Sequence, residues 1–229
     1  MTYVSLILGS LATYYLPTLG ALRPGPECGP LIARFWRLVV LVMIPAVTGV
    51  IVLKPLIVHL LYSSEFGSAL DTLRWMLLGD YFKVATWALA LPLVAFARAR
   101  AYFLIEASWN VTLLVGSLIA IFVTHRPEGI GLAFTIGYVG YFCFVAIDSH
   151  RRYRLPELGA LLSTWAGGLV LVILASAANW TAQTVNWPAA AAWIAIALVY
   201  VWFHVKPDER QALLKLAHGW LRGLAARTR

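Results

Sequence analysis

Charge is scarce in this chain. Only 12% of its residues are Asp, Glu, Lys or Arg, while 61% are hydrophobic, and a soluble domain carries about twice that charged share. Cysteine is nearly absent: Cys28 and Cys143 are the two present, too few for a disulfide framework and not spaced as metal ligands. The five histidines (His59, His125, His150, His204, His218) are scattered, with no partner at metal-ligand spacing. No glycine-rich phosphate loop ending in Gly-Lys-Ser/Thr occurs, which excludes ATP binding of that kind. No serine–histidine–acid set can be assembled. Between the apolar runs no outer loop is large enough to house the acceptor and catalytic groups of a glycan-building enzyme. These absences argue for no metal, no cofactor and no enzymatic activity.

What the chain does have is apolar length. Mean hydropathy is +0.79, and seven segments, roughly 3–21, 36–62, 70–97, 101–124, 129–148, 159–178 and 187–205, can each hold a helix spanning a bilayer, since about 20 residues cross the hydrocarbon. The start, MTYVSLILGSLATYYLPTLGAL, has nothing positive before its apolar stretch, so it reads as a first transmembrane helix, or the remains of one, rather than a secretory signal. The basic residues alternate by loop. Arg23, Arg34 and Arg37 are followed by a loop from Ser63 to Asp71 without Lys or Arg; Arg98 and Arg100 by a turn with Arg126 alone. Arg151, Arg152 and Arg154 are followed by an uncharged stretch from Asn179 to Pro188, and then by a basic tail. By the positive-inside rule the arginine-rich loops and the C-terminus are cytoplasmic. The net charge of +8 and pI of 9.8 therefore point to an anionic leaflet and not to nucleic acid, which needs its cations gathered on one face. The predicted fold is all-α: a polytopic bundle of six to seven transmembrane helices over 1–206. Residues 207–229 form a basic tail in which Leu213, Leu214, Ala217, Trp220, Leu221 and Leu224 recur at helical spacing opposite Arg210, Lys215 and Arg222. That tail lies on the inner membrane surface or docks under the bundle; the pattern suits both.

A few ionisable residues fall at hydrocarbon depth, where each costs several kcal/mol unless it meets a cavity, a partner or the headgroups. Asp80, Lys83 and Trp87 are spaced i, i+3, i+7 and share one helix face. Asp80 and Lys83 can pair as a packing strut, or line a wet passage. In the next segment Tyr102, Glu106, Asn110, Ser117 and Thr124 lie within about 40° of one meridian. Such a seam faces other helices or water, and interhelical hydrogen bonds account for Asn110, Ser117 and Thr124. Glu106 either lines the same passage or meets Arg98 or Arg100. Lys54, beside Pro55, sits about 12 Å of helix rise before the outer end of its segment, and reads as a cavity-facing cation. Arg74, nearer an outer end, snorkels. Gly129, Ala133 and Gly137 form a small-residue ridge for close helix packing.

Residues 61–106, LYSSEFGSALDTLRWMLLGDYFKVATWALALPLVAFARARAYFLIE, resemble the C-terminal half of the Wzx-type O-antigen and enterobacterial-common-antigen flippases, members of the multidrug/oligosaccharidyl-lipid/polysaccharide exporter superfamily. The likeness is carried by Ser64-Glu65-Phe66, Trp75, Gly79-Asp80, Phe82-Lys83 and Trp87. Tyr14-Tyr15-Leu16-Pro17 also looks like the end of that family's seventh helix. The resemblance implies a MATE-like fold of two six-helix lobes in a V around a cationic cavity, of which this chain holds about one lobe plus an extra hairpin at 159–205. It implies an inner-membrane protein that moves undecaprenyl-diphosphate-linked oligosaccharide to the outer leaflet for surface polysaccharide synthesis. Asp80 and Lys83 match the family's acidic and basic pair; Lys54 and Glu106 join the substrate cavity from their depth, and Trp87 and Asn110 from their helix faces.

The expected partners are the lipid-linked oligosaccharide, the bilayer, and a missing N-terminal lobe or other polysaccharide-pathway membrane proteins, as for a truncated or split transporter. Three other readings remain at this level. A drug or cation antiporter of the same superfamily would want a more acidic cavity. A membrane-embedded glycosyl- or phosphotransferase would want clustered carboxylates, and a non-catalytic assembly subunit would need no site.

Overall fold

The computed structural model describes Gly9, Thr13 and residues 15–61, 69–96, 99–182 and 184–206. Most of the first apolar segment, the Ser64-Glu65-Phe66 motif, Arg98 and the whole 207–229 tail lie outside the described residues; 15–20 are helical. Six helices follow: α1 (Gly29–Leu61), α2 (Ala69–Ala95), α3 (Ala99–Thr124), α4 (Glu128–Tyr153), α5 (Leu158–Ala178) and α6 (Trp187–His204). Each is long and apolar enough to cross a membrane, and the described residues contain no strand. The chain is a polytopic helical bundle, as its apolar runs require: in hydrocarbon a helix satisfies its own backbone, and an open strand does not.

Two helices outrun their apolar runs, and the difference moves the arginines. α1 begins at Gly29, so Arg34 and Arg37 stand on its opening turns instead of in a loop. Pro30 suits a helix start because its missing N–H would be unbonded there anyway. The helix persists because Ile32, Phe35, Trp36 and Val39 are all buried, which gives a basic segment an apolar stripe to pack with. α4 likewise runs to Tyr153, placing Arg151 and Arg152 in its last turn. There cations favour the helix dipole, and Arg152 pairs with Asp148 one turn back at 2.7 Å. The chain then turns sharply, with Arg154 and Glu157 both at positive φ (48° and 51°).

Space order is not chain order. α1 packs against α2, α5 and α6; α2 packs against α1 and α4; α4 in turn carries α3 on its far side. α3 is the outlier, with 6% of its spanning window buried inside the protein. The main core lies where α1, α2, α4 and α5 meet. Trp165 of α5 stacks on Phe142 (4.4 Å between centroids) and Tyr81 (6.0 Å), and Phe82 meets it edge-on (5.3 Å). Polar side chains cross between helices by donating to backbone carbonyls. Trp36 Nε1 bonds Ala85 O (3.0 Å), Tyr81 OH bonds Trp165 O (2.9 Å), and Thr135 Oγ1 bonds Trp75 O (2.6 Å). Ser149 Oγ bonds Leu89 O (3.2 Å) and Tyr200 OH bonds Thr164 O (2.8 Å). Such bonds contribute about 0.6 kcal/mol each on average in a membrane, so close packing has to supply much of the remainder.

Close packing is most evident along α4. The ridge of Gly129, Ala133 and Gly137 faces α3: a Cβ on Gly129 would meet Ala120 O and Thr124, and one on Gly137 would meet the Trp109 ring. A quarter-turn or more away, Gly131 lies against α2, where an added Cβ would come within 2.6 Å of the Thr72 carbonyl oxygen. Backbone cannot yield as a side chain can, so Gly131→Val should separate α2 from α4. Overpacking of this kind costs about 1–3 kcal/mol. The expected result is a lower midpoint of thermal unfolding in detergent, followed by intrinsic tryptophan fluorescence, whereas Gly140→Ala, where an added Cβ meets nothing within 4 Å, should unfold with the wild type.

Candidate functional site

Where α2, α3 and α4 approach one another, a charged and aromatic cluster forms. Lys83, half-buried on α2, holds its ammonium over the rings of Phe134 (5.8 Å to the centroid) and Tyr138 (5.9 Å) on α4, within the range of a cation–π contact. Phe134 meets Tyr138 edge-on at 4.7 Å, Tyr138 lies 4.4 Å from Trp109 of α3, and Trp109 stacks parallel to Tyr141 at 5.0 Å. Tyr141 OH then donates to Glu106 Oε1 at 3.4 Å. A continuous ladder of rings thus runs from the Lys83 ammonium to the Glu106 carboxylate.

Asp80 lies one turn before Lys83 on α2. Among the described residues, however, no N–O contact within 4.0 Å joins them. The i, i+3 spacing allows a direct pair, but the lysine side chain leans across to α4. The sequence reading did not single out Phe134, Tyr138, Tyr141 or Trp109. The first three are spaced i, i+4, i+7 and so share one face; that periodicity was visible, but nothing in one sequence says which helix the face meets.

The remaining expected residues go elsewhere. Lys54 is 1% exposed, and its ammonium donates to Asn179 O (2.7 Å) and Trp180 O (3.3 Å), just past the C-terminal end of α5. The expectation of a cavity-facing cation is therefore corrected. The end of a helix leaves carbonyls unbonded and carries partial negative charge, and Lys54 serves that end. Trp180 of the same turn also receives Arg74 over its ring (5.4 Å) and Trp75 against its edge (5.2 Å), so Arg74 lies against an aromatic face. Trp87 turns towards Phe35 of α1 (6.3 Å) instead of joining Lys83.

On α3, Asn110 is exposed and its amide donates to Glu106 O of the same helix (2.7 Å); Thr124 likewise bonds Ala120 O (2.7 Å). The expected interhelical bonds from these two are replaced by bonds to their own helix, because α3 has so little protein beside it. Ser117 is half-buried. Arg100 is exposed, and Glu106's bond is to Tyr141. Along the α3–α4 seam an open trough of about 510 Å³ is lined by Ile105, Ser108, Trp109, Gly137, Tyr141 and Phe144 among others. It is chiefly apolar and adjoins the ladder through Trp109 and Tyr141. Among the described residues no three His, Cys, Asp or Glu gather as a metal site.

Among curated proteins the chain is similar to the Lipid III flippases of Escherichia coli (strain K12) and Shigella flexneri. It is 29% identical to each over 153 residues, which is 66% of this chain and 36% of theirs. The match therefore spans about a third of the length of these relatives. It agrees with the resemblance carried by residues 61–106, and the relatives bear a transporter's name, not an enzyme's. No family model matches, and no solved structure matches.

The Lys54 assignment yields a direct test. Lys54→Met keeps the side-chain length but removes the charged donor to the half-buried Asn179 and Trp180 carbonyls, of which Asn179 O keeps the Ala182 N–H; a hydrogen bond from a charged group contributes about 1.5–3 kcal/mol. The expected outcome is a clear loss of thermal stability in detergent, with Lys54→Arg losing less. Stability unchanged in Lys54→Met would return the residue to a cavity role.

Proposed function

We propose that this chain forms one lobe of a flippase for a lipid-linked oligosaccharide carried on undecaprenyl diphosphate, acting in the bacterial inner membrane in surface polysaccharide synthesis. The observation that carries the reading is an ammonium, Lys83, held at membrane depth by aromatic faces instead of being neutralised in a direct ion pair. Similarity to Lipid III flippases supports the substrate class. O-antigen units are the finer expectation.

Electrostatics supplies the mechanism. A diphosphate in hydrocarbon is prohibitively costly, so a carrier must offer charge in place of water. A cation resting on aromatic rings is stabilised by about 0.5–2 kcal/mol, little enough to be surrendered to a phosphate oxygen. Lys83 would take the diphosphate while the prenyl chain stays in lipid. Asp80, one turn away, would restrain the ammonium once the headgroup has left. Either Asp80 or Glu106 would carry the coupling proton or sodium ion. The exposed polar edge of α3, with Asn110, is the side on which a second lobe would close, and rocking of lobe against lobe would alternate access. Lys54, engaged with the end of α5, is left out of the substrate path; Trp87, beside Phe35, would fix the tilt of α2 against α1. The C-terminus and the 207–229 tail are assigned to the cytoplasmic side, on the strength of the alternating arginines.

Deletion of the gene should trap lipid-linked repeat units on the inner leaflet, measured by glycan profiling with leaflet-selective labelling. In the complementing chain, Lys83→Ala should lower transport at least tenfold, Asp80→Asn should impair it, and Lys83→Arg should keep a substantial part. Full transport by Lys83→Ala and by Asp80→Asn, with expression equal to wild type, would remove the site.

A further inference from the structure

α3 stands at the edge of the bundle and meets α4 through Trp109, Gly116 and Ala120. Roughly a third of a turn from that contact, at about 100° per residue, runs a second stripe: Ala107, Asn110, Leu114, Ser117 and Ile121. Asn110, Leu114 and Ile121 are exposed, and Ala107 and Ser117 are half-buried. Asn110 falls near the middle of α3, where a spanning helix passes through hydrocarbon. One of its amide hydrogens goes to Glu106 O. Its side-chain oxygen and second hydrogen have no bond among the described residues, and neither has the Ser117 hydroxyl. Against lipid such groups cost free energy, because acyl chains offer them no partner.

We propose that this stripe is a contact between two copies of the chain, paired α3 to α3 about an axis along the membrane normal. The stripe advances by alternating steps of three and four residues, the spacing of a seam between two helices crossing at about 20°. An amide within an otherwise apolar seam fixes how the two helices align. A second copy supplies what that amide lacks. Copies of one chain enter the membrane in the same orientation, so a two-fold axis along the normal sets Asn110 opposite Asn110 and Ser117 opposite Ser117 at equal heights. An amide is both donor and acceptor, and a hydroxyl likewise. Each is therefore its own complement, and no second sequence has to be matched to it. Leu114 and Ile121 fill the seam between the polar positions. The pairing rests on the Asn110 edge and not on what the bundle carries; within the transport reading, it makes the lobe that closes on α3 another copy of this chain.

Two measurements on the full chain test the pairing, and neither reads transport, so the Lys83 site can fail without it. The first is disulfide trapping in native membranes under mild oxidation, with the exposed Cys143 removed as Cys143→Ser. Leu114→Cys should give a product of twice the chain mass, whereas Ile119→Cys, exposed on the other flank of α3, should not. The second is energy transfer between donor- and acceptor-labelled copies mixed in phosphatidylcholine vesicles over a range of protein-to-lipid ratios. Asn110→Leu should raise the protein density at half-association about tenfold, Asn110→Gln should raise it less, and Ser108→Ala, off the stripe, should leave it unchanged. Three results would overturn the proposal: trapping no greater in Leu114→Cys than in Ile119→Cys, wild-type association in Asn110→Leu, or a Leu114→Cys product whose mass shows a different protein on this edge.

Discussion

Backbone carbonyls are the recurrent acceptors in this protein, and the bundle depends on them. In hydrocarbon no water is present to satisfy a donor, so a buried polar hydrogen is costly unless it finds oxygen inside the protein; Thr48 and Trp165 are buried without such a bond, but most of the described donors find one. Trp36, Tyr81, Thr135, Ser149 and Tyr200 all solve this by reaching a carbonyl on a neighbouring helix. Lys54 does the same with a full charge, and finds the one kind of place where carbonyls are left over: the end of a helix. Thr112, Thr124 and Asn110, on the sparsely covered α3, turn to the carbonyl four residues back. Whether a polar side chain binds helices together or only satisfies its own helix is decided by what stands beside it.

Against that background Lys83 is different. Its ammonium rests on ring faces instead of carbonyl oxygens, a weaker hold than a direct ion pair or a helix end. A charge held weakly at depth is available for exchange, which a structural strut is not. Lys54 and Lys83 are both lysines on apolar helices, and their surroundings give them opposite characters.

α4 is the element that makes this cluster. Its small residues let α3 approach on one side, Gly131 lets α2 approach on another, and Phe134, Tyr138 and Tyr141 fill the corner between. Without the close approach of both neighbours, Trp109 would not reach Tyr138 and Tyr141, and Lys83 would have no rings to lie over. Packing and polar site are therefore one feature, and the tight glycine contacts are a condition for the geometry of the charged groups.

The all-α membrane architecture, the approximate place of the described helices and the alternation of basic ends could be read from the residues alone. Apolar runs of about 20 residues leave a chain few other choices, and residues 61–106 were enough to suggest the class of protein to which the comparisons also point. The places of Asp80, Lys83 and Glu106 along their helices were legible for the same reason. What lies opposite each side chain was not. That α4 sits between α2 and α3, and that Lys54 meets the turn after α5, both depend on how helices are rotated and ordered in the plane of the membrane. Periodicity names a face and says nothing of its neighbour; only the packed arrangement of the helices supplies the neighbour, because contacts between residues more than a hundred positions apart leave no local trace in the chain.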